Sequence, residues 1–123
     1  MTVTVDGQDV PLPRGARGVT VINVPSYANG TQPWGSPGNG SAFDGGTVDD
    51  GRIEVFAVLG SEHMGCIQAR ATRGIRVGQG AVVEFSVPTN PGSRPRQLYI
   101  QNDGEAQPFT AGGCFANCPP ASF

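Results

Sequence analysis

Hydrophobic and polar positions alternate in short bursts along this chain, and no helical period lasts beyond two or three turns. Val3 and Val5 alternate with Thr2 and Thr4, Asp6-Gly7 interrupts, and Val10 and Leu12 return, which predicts a hairpin. "GVTVINVPSY" reads as a buried strand ended by Pro25, which has no N–H for a ladder. The clearest strand is "DDGRIEVFAVLG", with Ile53, Val55, Ala57 and Leu59 on one face and Arg52, Glu54 and Phe56 on the other. "SEHMGCIQARA" predicts a short helix with Ser61 as its N-cap. "GIRVGQG" and "AVVEFSV" then read as strands about a turn at Gly78-Gln79-Gly80. Leu98 to Gln101 alternate into Asn-Asp-Gly, and Asp103-Gly104 between strands is a strong hairpin signal. Short strands joined by Gly/Pro turns indicate a mainly β fold, a β-sandwich lobe with at most one short helix.

Between these strands lies a Gly-, Pro-, Ser- and Asn-rich segment from Ala28 to about Gly46, too long to be an ordinary connection. Trp34 sits inside it and is expected to anchor it to the core. The sequence has 123 residues, of which 19 are Gly and 11 Pro, so it holds one loop-rich domain with a modest core. A net charge of −2 and the absence of a basic stripe give no footprint for nucleic acid. All eight basic residues are Arg, which we read as compositional bias. Met1 leads into "TVTVDGQDV", which has neither the charged start nor the apolar core of a signal peptide. The longest apolar run, Val55 to Leu59, is far too short to span a bilayer. These features predict a soluble domain whose contact with membranes is peripheral. The N-x-[ST] triplets at Asn29 and Asn39 carry little weight without an export signal.

Candidate chemistry is sparse. Cys66 stands alone and Cys114 and Cys118 form a C-x3-C pair; with one His in the chain, this is poor zinc spacing. The stretch 110–123 reads as a disordered tail holding free thiols. No Gly-rich phosphate loop, nucleophile elbow or H-E-x-x-H is present. His63 reads as a structural residue. The carboxylates remain: Asp49-Asp50-Gly51 is either an Asx turn closing the long loop or a hard-oxygen site for Mg²⁺. Asp103, with Glu105 beside it, is either a turn residue or a carboxylate that the turn presents as a base.

Four blocks in order carry a resemblance. "GVTVINVPSYANGTQPWG" holds N-x-P-S-Y-x-x-G-x-x-x-W-G from Asn23 to Gly35, and "VDDGRIEVFAVLGSEHMG" holds D-D-G-x-x-E-V and H-M-G. "RGIRVGQGAVVEFSV" and "YIQNDGEAQPF" complete the set. From about Val3 to Phe109 the chain resembles the accessory domain of eukaryotic diacylglycerol kinases. The resemblance implies the C-terminal lobe of an ATP- and Mg²⁺-dependent lipid kinase, which transfers the γ-phosphoryl group to diacylglycerol and forms phosphatidic acid. It implies that Asp103, in the D-G-E turn, accepts the hydroxyl proton, and it maps a structural Mg²⁺ site onto Asp50. Its implied partners are an N-terminal kinase lobe, in cis or in trans, and diacylglycerol at a membrane surface, in a cytoplasmic, peripherally membrane-associated protein.

Departures from the family pattern matter as well. The G-G-D-G-T nucleotide loop occurs nowhere in these residues, nor does the earlier N-terminal part of the accessory domain. The expectation is therefore a partial accessory domain over 1–109, inactive alone. The alternative is a free-standing, non-catalytic β-sandwich that binds a lipid or a separate kinase lobe. A small extracellular lectin-like sandwich is a weaker third reading, motivated only by the sequons and the β character.

Overall fold

Asp6 and Gly7 both adopt left-handed backbone angles, φ 49° and 79°. That is the requirement of a two-residue type I′ turn, and it joins β1 (Thr2–Val5) to β2 (Gln8–Val10) with Val3 opposite Val10 and Val5 opposite Gln8. The other edge of β1 pairs antiparallel with β6 (Val83–Ser86), Val5 opposite Val83. A second sheet has the order β3 (Gly18–Ile22), β4 (Ile53–Val58), β5 (Ile75–Gly80), antiparallel throughout. The helix α1 (Ser61–Gln68) connects β4 to β5. The computed structural model describes residues 1–27, 29–36, 41–88, 92, 98–102, 105–109 and 114–116. Among the described residues the protein is mainly β, with a single short helix.

One core lies between the two sheets. Val3 and Val5 of β1 and Val83 of β6 meet Val55 and Ala57 of β4 and Val77 of β5. The glycines of the predicted Gly78-Gln79-Gly80 turn belong to β5, and the chain turns instead at Ala81 and Val82. Their role is close approach rather than turning. A Cβ at Gly78 would lie 2.8 Å from Val5 Cγ2, and one at Gly80 2.5 Å from Val5 Cγ1. The tip of the first hairpin locks onto the same place: Asp6 Oδ1 accepts the N–H groups of Ala81 and Val82, each at 2.9 Å.

The second face of β4 is not a solvent face. Phe56 and Val58 are buried there with Ile22, Trp34 and Ile67 of α1. The β4–β5 ladder shifts register between Val55 and Phe56, so Val77 falls between paired positions. Leu59, expected in the core, is 43% exposed, because the chain leaves the sheet at Val58 for α1. Gly60 caps that helix, with no side-chain capping bond from Ser61.

The last part of the described chain forms a ribbon of β7 (Leu98–Asn102) and β8 (Glu105–Phe109), from Leu98 opposite Phe109 to Asn102 opposite Glu105. Only two residues separate the strands, as a tight hairpin requires. Within 110–123, Cys114–Ala116 forms β9, which pairs with β6. The other residues of that stretch lie outside the described ones.

Candidate functional site

The long Gly/Pro-rich loop is held onto the second face of β4 by specific side chains. Trp34 is 2% exposed, its indole N–H donates to the Asp44 carbonyl at 2.9 Å, and Phe43 meets it edge-on at 5.3 Å. Arg76 of β5 clasps both limbs of the loop. Its Nε donates to the Trp34 carbonyl and its Nη2 to the Ser36 carbonyl, both at 2.8 Å, while Nη1 reaches Ser41 Oγ at 3.1 Å. The guanidinium also lies 5.1 Å from the Trp34 ring centroid, within cation–π range. A planar five-donor group suits this task, since it binds several loop acceptors in one plane.

Under the loop lies a half-open cavity of about 150 Å³, lined by Ile22, Val24, Pro25 and Trp34 together with the polar Gln32, Ser36 and Glu54 and three glycines. Glu54 is 1% exposed. Its Oε1 accepts from Gln79 Nε2 at 3.0 Å, and Gln79 Oε1 in turn accepts the Asp44 N–H at 3.0 Å. Glu54 Oε2 has no hydrogen-bond partner among the described residues. Burial pushes the Glu54 carboxyl above its ordinary pKa, the Gln79 hydrogen bond opposes this, and the negative charge of Asp50 adds to it. Gly46 makes room for the carboxyl group, because a Cβ there would stand 3.0 Å from Glu54 Cδ.

Asp50, the residue matched to a metal site, is exposed, and its Oδ1 accepts the Arg52 N–H at 2.9 Å with Gly51 at φ 69°. This is the Asx turn that a D-G pair favours. Asp44 Oδ2 pairs with Arg52 Nη1 at 2.8 Å on the surface beside it. Among the described residues no group of three His, Cys, Asp or Glu side chains could hold a metal ion. Asp50 offers one exposed carboxylate, of which Oδ1 is engaged by its own turn.

Asp103 and Gly104 lie outside the described residues, as does Cys118. Glu105 is exposed at the start of β8, and Cys66 is a free, exposed thiol. His63 is structural: Nδ1 accepts the Leu59 N–H at 3.1 Å, which leaves Nε2–H to donate to the Arg73 carbonyl at 3.0 Å. No helix among the described residues is long and apolar enough to cross a membrane.

Glu54, Gln79 and Arg76 were not singled out by the sequence reading. The signal for Glu54 was present, as the one acid within "IEVFAV", a run otherwise apolar on both faces. Arg76 and Gln79 carried no comparable mark, since Arg76's acceptors and the Asp44 N–H bound by Gln79 lie in a loop more than thirty positions away in sequence.

Comparison with known proteins places this arrangement. Residues 1–106 match the diacylglycerol kinase accessory domain family. The chain is 43% identical over 77 residues, 63% of its length, to mouse diacylglycerol kinase theta, and 36% identical over 101 residues, 82% of its length, to mouse diacylglycerol kinase delta. Diacylglycerol kinase 1 of Arabidopsis thaliana is 32% identical over 104 residues, 84% of this chain. The matched parts span 8% of each mouse protein and 13% of the plant one. No solved structure matches the chain. With the D-D-G turn, the Trp34 anchor and the buried Glu54 all inside the matched region, the chain belongs to the diacylglycerol kinase accessory domain family.

Proposed function

We propose that this domain works as the accessory part of an ATP-dependent diacylglycerol kinase. It acts with a catalytic kinase lobe, in cis or in trans, at a membrane surface to which it is bound peripherally from the cytoplasm. The observation that carries this reading is the match over residues 1–106 to a domain named for that enzyme. The reaction is transfer of the ATP γ-phosphoryl group to the free hydroxyl of diacylglycerol, giving phosphatidic acid. ATP with Mg²⁺ supplies the phosphoryl group and the neutralising charge when bound.

The part assigned to this chain is the proton. Asp103, in the two-residue connection of the β7–β8 ribbon, accepts the proton of the attacking hydroxyl, a task that requires hydrogen-bond reach to that group. Asp50 contributes one oxygen to a structural Mg²⁺ in this reading, with carbonyl groups and water completing the set.

The test uses the complete kinase that carries this domain. Asp103→Asn should lower phosphatidate formation about 10²–10⁴-fold while the urea midpoint stays unchanged. Retention of more than about a tenth of the activity would remove Asp103 from the role of base. The 123-residue chain alone should form no phosphatidate from diacylglycerol vesicles and ATP. Vesicle binding by the isolated chain, with no activity gained on adding a kinase lobe, would favour the free-standing lipid-binding reading instead.

A further inference from the structure

Two Arg-x-x-Arg pairs, Arg14 with Arg17 and Arg70 with Arg73, lie far apart in sequence, and the kinase reading uses neither. The fold brings them to one end of the second sheet. Arg17 directly precedes β3, where Gly18 pairs with Val58, and its N–H donates to the Val58 carbonyl at 2.9 Å. Leu59 follows at the exit of β4, and the His63 ring ties it to Arg73, accepting the Leu59 N–H and donating to the Arg73 carbonyl. Arg73 stands two residues before Ile75, which pairs with Ala57. Arg14 belongs to the turn that leads into β3, and Arg70 to the turn after α1. We propose that this basic end of the sheet docks on a membrane leaflet rich in anionic lipid, with Leu59 as its apolar contact.

Charge and exposure select that partner. All four arginines are exposed, and none makes an ion pair or side-chain hydrogen bond among the described residues. The segments that form this end, 13–18 and 58–74, carry one acid, Glu62. The other end of the sheet is acidic: Asp6 abuts Gly80, which pairs with Ile53, and Asp49, Asp50 and the Asp44–Arg52 pair lie just before that strand. An anionic surface therefore attracts one end and repels the other, which orients the domain although its net charge is −2. Arg17 and Arg73 flank β4 on either side, roughly 10 Å apart at two strand spacings. Charges spread in this way match an array of headgroups better than a single phosphate. Between them Leu59 is 43% exposed, and an apolar side chain so placed enters the headgroup region. The choice of a membrane over an acidic protein segment rests on the lipid kinase function proposed above.

The full chain is sedimented with phosphatidylcholine vesicles made with and without phosphatidylglycerol, in the absence of ATP and diacylglycerol. Binding to the anionic vesicles alone is expected, weakening as ionic strength rises from about 0.01 M to about 0.15 M and the Debye length shortens from about 30 Å to about 8 Å. An Arg beside an anionic leaflet is worth roughly a fivefold change in partition, so Arg17→Gln and Arg73→Gln should each weaken binding by about that factor. Arg52→Gln removes the same charge from the acidic end and should change binding less than about twofold at about 0.1 M salt. Equal binding to both kinds of vesicle, binding to neither, or equal loss from Arg17→Gln and Arg52→Gln would overturn the proposal. Retention on immobilised polyglutamate without vesicle binding would also overturn it, and would give the patch to an acidic protein segment. Circular dichroism checks the variants, and the wild-type comparison stands even if one unfolds. The assay contains neither kinase substrate, so its failure is distinct from a failed phosphatidate assay on the complete kinase.

Discussion

Glu54 occupies a position where its ionised form costs stability, and this has a consequence for the pH dependence of folding. Its carboxyl group is raised above the ordinary pKa in the folded protein, mainly by burial. Between the unfolded value, about 4.3, and the higher folded one, the native state therefore holds a proton that the unfolded chain has released. Its contribution to stability is whole at pH below the unfolded value and declines as pH rises through the folded value. Urea midpoints measured from about pH 4 to about pH 8 should fall more for the wild type than for Glu54→Gln, which cannot ionise. Parallel profiles for the two proteins would show that Glu54 ionises without hindrance.

At the level of elements, the loop over β4 is clasped by polar side chains of β5. Arg76 holds three loop acceptors and stacks on Trp34, so the clasp is concentrated in one side chain. Lysine keeps the charge but has no planar fork to share among these groups. Arg76→Lys should destabilise the protein by about 1.5–3 kcal/mol, the range for hydrogen bonds to a charged group. Amide exchange should rise in residues 29–36 and 41–46 more than in β1 or β6. Uniform acceleration across both sheets would instead mean that the loop and the core open as one unit.

For the molecule as a whole, the contact between the two sheets is where the sequence tolerates least. β1 reaches β5 only because Gly78 and Gly80 leave space for Val5, and a Cβ at Gly80 would also meet Asp6 Oδ2 at 2.5 Å. Asp6 is part of that junction through its bonds to Ala81 and Val82, so neither side can retreat freely. Gly80→Ala should cost about 1–3 kcal/mol by overpacking, read as a lowered urea midpoint with the denaturant slope retained. An unchanged midpoint would show that the hairpin can shift aside. The same junction limits how the domain could be remodelled, since the first hairpin, β5 and β6 meet there.

Local chemistry determined much of this protein without help from its fold. The Asp6-Gly7 hairpin and the strands over Gly18–Ile22 and Ile53–Val58 follow from short-range rules of turn geometry and alternation, and the helix over Ser61–Gln68 was legible too, though its cap is Gly60 rather than Ser61. The family was legible for a related reason, because its signatures are runs of neighbouring residues. Tertiary structure alone decided the rest. Whether Gly78 and Gly80 turn the chain or let another strand approach depends on Val5, more than seventy positions away in sequence. Whether Glu54 faces water or a cavity depends on a loop whose own sequence has no period, held by Trp34, Arg76 and Gln79. Alternation along a strand tells which residues share a face; what covers that face is settled by segments distant in the chain, and in this protein those segments are what buried Glu54.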